Sequence, residues 1–288
     1  MNVIDLILAC AKVPSFSSYE ERIHPLIKEI CSQVAGVEIK RVADNNLIIY
    51  VEGKRDVAPI ALTAHLDKIN HFGEDFFGDL YAISDGEKII GQMDNTAGLG
   101  VCLAMMFASQ QHEMPPLYLL FSEMEEGTDL RLRPHVLKNN GIGYSSGMGA
   151  RRIAKYLLED DKPLPAAVIT IDTTPKFRGR PGLALYNKFW HRKKEVVVSE
   201  KLQVLTTNLQ DYFVNLEPKI LLSNAINDYI DYGLTLNTDT EYDIPSIAIE
   251  PAISPYHTID EAVYCSDIER IVEMLTDFLT KYDFENLG

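Results

Sequence analysis

The chain has 288 residues, 46% of them hydrophobic and 24% charged, with a formal net charge of −15 at pH 7. This is the composition of a globular protein able to bury a sizeable core, and it excludes a disordered chain. The acidic excess argues against nucleic acid as a partner, and no apolar run approaches the ~20 residues of a membrane span.

The opening residues carry an early acid, Asp5, and no basic stretch, unlike a secretory signal. The cytoplasm is therefore the expected compartment. There Cys10, Cys31, Cys102 and Cys265, which form no CxxC, are expected as buried free thiols. Ile4, Ile7, Leu8 and Ala11 predict a short amphipathic helix ended by Pro14. Ser18 is placed as the cap of a second helix reaching about Val34, with Glu20 and Glu21 in its first turn. Residues 37–42 and 47–51 flank Ala43-Asp44-Asn45-Asn46 as a hairpin.

Next comes Ile60-Ala-Leu-Thr-Ala-His65-Leu-Asp67, a short apolar run that predicts a buried strand delivering a His-x-Asp pair at its end. Residues i and i+2 of a strand share a face, so Asp67 can hold one ring nitrogen of His65 while the other binds a metal. Residues 80–83 and 88–90 predict short strands. From Thr96, the spacing of Leu99, Cys102, Leu103, Met106 and Phe107 predicts a core helix. A buried strand over 117–121 follows Pro115 and Pro116. Segment 127–147, rich in Gly, Asn, Arg and Ser, is expected as a surface excursion. A helix over 149–158 and a strand over 166–171 come next.

Residues 176–215, a region expected to form a small subdomain, show mainly a basic cluster of Lys176, Arg178, Arg180, Lys188, Arg192, Lys193 and Lys194, read as a solvated face. A helix over 218–232, a strand over 246–249 and a terminal helix from Asp267 complete the chain. Apolar strands alternating with helices imply an α/β fold: a three-layer αβα sandwich around a mostly parallel or mixed sheet, in one domain over 1–288.

Four buried strands thus finish in His or acidic residues, and ligands of open α/β sheets bind outside the carboxyl ends of strands. Beyond His65 these are Glu123, Glu125 and Glu126 after 117–121, Asp172 after 166–171, and His257 after 246–249. Asp94, in Gly91-Gln-Met-Asp94-Asn-Thr-Ala-Gly98, precedes a helix start, where an N-cap is the plain reading. Two His with several carboxylates suit Zn²⁺, with Mn²⁺ or Co²⁺ as alternatives. Two ions about 3.5–4 Å apart, sharing a carboxylate, use this many ligands where one cannot.

The order HxD, D-N-x-A-G, EE, D and H resembles the co-catalytic dizinc exopeptidase superfamily, which includes bacterial dizinc aminopeptidases, tetrahedral aminopeptidases and dizinc carboxypeptidases. Leu6…Val13-Pro14-Ser15…Glu20-Glu21 is similar to their opening, and Asn237-Thr238-Asp239-Thr240…Ile244-Pro245-Ser246-Ile247…His257…Glu261 to the last third of the tetrahedral enzymes. The resemblance implies a zinc-exopeptidase fold of the phosphorylase/hydrolase-like type. It implies that His65, Asp94 and Asp172 hold one metal, that Asp94, Glu126 and His257 hold the other, and that Asp67 orients His65. Glu125 would be the general base, activating a metal-bridging water and passing its proton to the leaving amine.

Two departures stand out. Gly127 follows the EE pair at once, and Glu123 rivals Glu125 as the base, although counting from Phe121 favours Glu125. The implied activity is an aminopeptidase acting on short peptides, with peptide or acyl-amino-acid substrates, and relatives commonly form homo-oligomers. A carboxypeptidase, an N-acyl-amino-acid deacylase and a non-catalytic scaffold are the alternatives. Asp239 and Glu261 are candidates to read a free amine, and the basic cluster to read a carboxylate. His24, His71, His112, His135 and His191 are expected at the surface, His71 and His135 near the site mouth. Arg151 and Arg152 are expected in salt bridges or at the surface.

Overall fold

The computed structural model describes residues 1–192 and 196–287. Its elements in chain order are α1 (Val3–Ala11), α2 (His24–Cys31), β1 (Val37–Val42), β2 (Asn46–Val51), β3 (Ile60–His65), β4 (Ile83–Ser84) and β5 (Lys88–Ile90). Then follow α3 (Thr96–Gln111), β6 (Leu117–Ser122), α4 (Gly127–Leu132), α5 (Met148–Glu159), β7 (Ala167–Ile171) and β8 (Leu183–Tyr186). The rest comprises α6 (Glu200–Leu216), β9 (Leu221–Ser223), α7 (Asp228–Asn237), β10 (Ser246–Pro251), β11 (Ala262–Tyr264) and α8 (Cys265–Lys281).

The main sheet runs β1-β2-β6-β3-β7-β10-β8-β9. Its centre, β6-β3-β7-β10, is parallel, while β2 joins β6 and β8 joins β10 antiparallel. The central strands are buried along their whole length, so they are mostly apolar with no alternation. On one face α1, α2, α3, α6 and α8 enclose the larger core around residues such as Leu6, Met106, Phe213 and Phe278. On the other, α5 and α7 pack Ile153, Leu157, Tyr232 and Leu236 against Ala61, Leu120 and Val168. The expected three-layer αβα sandwich with a mixed sheet is therefore observed. A separate small sheet, β11-β5-β4, lies beside it.

Several boundaries differ from expectation. Ser18 does not cap a helix: its φ is 68° and its hydroxyl accepts from Lys138 N–H. A 3₁₀ turn over Glu20–Ile23 intervenes, and α2 starts with Pro25 in its first turn, where a missing N–H costs nothing. The helix expected over 218–232 begins only at Asp228, capped by Asn227, because Leu221–Ser223 extend to pair with β8. Helix α6 fills the stretch that showed no clear pattern. Ser199 caps it, and Leu202, Leu205, Leu209 and Phe213 form its buried stripe. Of the basic cluster, Lys193 and Lys194 lie outside the described residues.

All four cysteines are free and buried. Burial pushes the Cys10 and Cys31 thiols up to about 12, and raises Cys102 and Cys265 as well. Only the thiolate is reactive, so at pH 8 a disulfide-exchange reagent should label none of them at the free-thiol rate. All four should react at that rate in denaturant; rapid labelling of the native protein would contradict this packing.

Candidate metal centre

The parallel strands deliver their carboxyl ends to one edge. From β3 the chain passes to β6 on one side and later to β7 on the other, so the connections reverse direction around β3. Open α/β sheets place ligands at such a reversal. His65 is the last residue of β3, the Glu123–Glu126 loop follows β6, Asp172 follows β7, and His257 follows β10. Asp94 enters from the loop before α3.

The sequence-predicted residues meet here. His65 Nε2 lies 3.2 Å from Asp94 Oδ1 and 3.7 Å from Asp172 Oδ1. His257 Nε2 lies 3.6 Å from the other Asp94 oxygen, Oδ2, and 3.5 Å from Glu126 Oε1. One carboxylate thus faces both imidazoles. His65, Asp94 and Glu126 can offer ligand atoms all within 4.8 Å of one another, a spacing that fits a metal ion. His257 Nε2 is buried and makes no hydrogen bond despite these near oxygens, the condition of a ligand nitrogen awaiting a cation.

Bracing comes from backbone N–H groups. His65 Nδ1 lies 3.0 Å from the backbone carbonyl of Asp67 and 3.2 Å from its Oδ1, which also accepts from Glu125 N–H at 3.0 Å. Asp67 Oδ2 accepts from Glu126 N–H and from the Ser17 hydroxyl. Asp67 therefore fixes the ring and the glutamate loop together, a role wider than the sequence suggested. Asp94 does not cap α3. That task falls to Asn95, which accepts from Gly98 N–H and donates to Ile171 O, leaving Asp94 free to face the cluster. A Cβ on Gly98 would stand 2.3 Å from Ile171 O, so only glycine lets α3 sit this close to β7.

Glu261 accepts from Met93 and Asp94 N–H through one oxygen and from His257 N–H through the other. It ties two ligand-bearing loops together, with both oxygens engaged by backbone N–H groups. Glu123 points away from the cleft. It accepts from Asn45 N–H, Asn46 Nδ2 and Arg152, because Met124, at φ 55°, reverses the chain between it and Glu125. Arg152 also pairs with Asp44, and Arg151 with Asp231.

The electrostatics follow from crowding. Burial alone would lower the proton affinity of His65, but Asp172, Asp67 and Asp94 outweigh it and hold the imidazole well above its usual range. Asp94 is also penalised by burial, yet the neighbouring His257 and His65 imidazoles bring it below the usual carboxylate range. Burial first, then neighbouring acids, push Glu126 well up. Glu125 rises for the same reason, though His65 opposes it. Burial and Asp94 likewise raise Asp172.

Two cavities open on the cluster and share Glu125, Ile226 and Tyr256 as their divide. The first, about 240 Å³, is floored by Glu250 and Asn227 and reaches Asp94 and Asp172. The second, about 420 Å³, is bounded by Glu126, His257 and the start of the 127–147 segment. Sequence reading missed Glu250, a buried acid inside an otherwise apolar strand, which is itself a legible signal. His24 is not at the surface: it is buried with Nε2 2.9 Å from Asn45 O. His71 is half-buried, whereas His112, His135 and His191 are exposed.

No protein-family model and no curated protein sequence matches the chain. Solved structures do. An aminopeptidase from the archaeon Desulfurococcus kamchatkensis superposes with a TM-score of 0.67 at 15% identity, over 99% of this chain and 96% of that one. The TET1 peptidase of Pyrococcus horikoshii, which can assemble into a tetrahedron or a large octahedral shell, gives 0.62 at 13%, over 98% and 100%. A Thermotoga maritima protein named endoglucanase gives 0.60 at 12%, over 98% and 97%. The chain has the fold of these proteins. At such identities the likeness is one of architecture, and it bears out the fold that the sequence motifs implied.

Replacing Asp67 with Asn puts an NH₂ group where one of the two loop N–H groups needs an acceptor. Zinc affinity measured by calorimetry should fall about 10- to 100-fold, the usual cost of losing a partner that orients a ligand. Wild-type affinity in Asp67→Asn would mean that the bracing is dispensable.

Proposed function

We propose that the chain is a metal-dependent aminopeptidase that removes N-terminal residues from short peptides using two divalent ions. The observation that carries this reading is a single carboxylate, Asp94, approached on its two oxygens by His65 and His257, with Asp172 and Glu126 completing either side. His65, Asp94 and Asp172 would hold one ion, and Asp94, Glu126 and His257 the other. The donor set suits zinc, with manganese or cobalt as alternatives. Two such ions supply a water of lowered pKa and a polarised scissile carbonyl.

The chain's own residues do the rest. Glu125, half-buried on the wall of both cavities, takes the proton from water and returns it to the leaving amine; its raised proton affinity suits a group that must do both. Asp67 keeps the His65 ring in its ligating orientation. Glu123, held by Arg152 and the β1–β2 turn, is not placed to compete as base.

The architecture shared with an aminopeptidase and the TET1 peptidase supports this reading. A glycosidase, suggested by the name of the third relative, needs two carboxylates free to face a sugar, whereas here imidazoles bracket Asp94. The carboxypeptidase and deacylase alternatives depend on the basic cluster, and of its described side chains only Lys176 lines either of the two cavities at the site. The same proposal takes residues 1–288 as one catalytic domain acting in the cytoplasm, where unpaired thiols stay reduced. Among the described residues no helix is long and apolar enough to cross a membrane. Self-association is included by likeness to the TET1 peptidase.

Chelation should abolish hydrolysis of aminoacyl substrates, and zinc, manganese or cobalt should restore it. Glu125→Gln should retain two metals per chain by elemental analysis while kcat falls about 10²- to 10⁴-fold. Near-wild-type turnover in that variant would remove Glu125 from the reaction.

A further inference from the structure

The two cavities differ in charge. The smaller presents Glu250, Asp172 and Asp94 against one lysine, Lys176, whose Nζ stands 5.7 Å from the centre of the Tyr186 ring. The larger also carries acids, Glu125 and Glu126, but adds His257 and Arg131, the latter from the end of α4. An arginine in one chamber and none in the other gives the cleft a direction. It suits a zwitterion with its ammonium in the first chamber and its carboxylate in the second.

Arg131 is the residue that makes this specific. Neighbouring arginines are engaged by acids: Arg133 by Asp129 at 2.7 Å, Arg151 by Asp231 and Arg152 by Glu123 and Asp44. Among the described residues no carboxylate pairs with Arg131, whose one hydrogen bond runs from Nε to Gly127 O within its own helix. Its terminal nitrogens are left for a ligand. A guanidinium is suited to this task because its planar fork matches a carboxylate on two bonds. The helix that carries it is anchored, since buried Asp129 accepts from Asn70 N–H in the loop after β3. Arg131 therefore keeps a fixed relation to the edge where His65 lies.

We infer that Arg131 reads the free C-terminal carboxylate of di- and tripeptides, so that the 127–147 segment makes the enzyme favour very short substrates. This rests on the aminopeptidase reading and adds to it the group that recognises the far end of the substrate. Longer peptides and C-terminal amides bind without that contact.

The test uses metal-loaded enzyme with Ala-Ala, Leu-Ala and Lys-Ala, each as free acid and as C-terminal amide. The wild type should favour the acids about tenfold in kcat/KM, mainly through KM, as one exposed charge-assisted contact allows. In Arg131→Met the ratio of acid to amide should fall to about one with an unchanged melting temperature, since the side chain is exposed and braces no other element. Calorimetry on Glu125→Gln supplies a readout without turnover: Leu-Ala should bind about tenfold tighter than its amide. Equal use of acids and amides by the wild type, or a preference that survives Arg131→Met, overturns the role of Arg131 and leaves the peptidase standing. Failure to hydrolyse any acid or amide overturns both.

Discussion

The structure is governed by repulsion. Asp94, Glu125, Glu126 and Asp172 converge at a strand edge largely closed to water, and among the described residues no lysine or arginine forms an ion pair with any of them. Two like charges 4 Å apart repel by about 4 kcal/mol at an effective dielectric near 20. Native proteins are stable by only about 5–15 kcal/mol. Such a cluster persists either by binding protons or by binding cations. Asp94, between two imidazoles, stays ionised while its neighbours are pushed toward the protonated form.

Holding the cluster together takes a second set of acids that never face the cleft. Asp67 accepts from the backbone of Glu125 and Glu126, and Glu261 from that of Met93, Asp94 and His257. Glu20, buried in the N-terminal turn, accepts from Ser18 and Met124 N–H and from Asn45 Nδ2. Hydrogen bonds from N–H groups to carboxylates are the strong kind. Each clamp joins loops distant in sequence, so the ligand-bearing segments are positioned against one another as well as against the strands. The result is a rigid rim built from irregular loops.

Much of this was legible because local signals coincided. Short apolar runs that lead into His65, Asp172, the Glu123–Glu126 loop and, further on, His257 are strand signatures followed by polar residues that a core does not accept. What physics alone could not supply was convergence across nearly the whole chain; that came from the ordered motifs. Several points turn on local detail. Asp94 and Asn95 are adjacent and both able to cap, and only the contact of Asn95 with Ile171 decides between them. The choice of Glu125 over Glu123 turns on the left-handed backbone of Met124, a residue type that gives no hint of it. Helix α7 begins later than expected because Asn227 caps it, and Glu250 lies just past the strand expected over 246–249, which the structure extends to Pro251.

The central claim is that side chains from one strand end and four loops form one cation site organised on Asp94. Anomalous scattering from zinc-soaked crystals tests it most directly. The account predicts two peaks about 3.5–4 Å apart, one between His65 and Asp172, the other between His257 and Glu126, with Asp94 touching both. Peaks away from these residues, or none at saturating zinc, would contradict it.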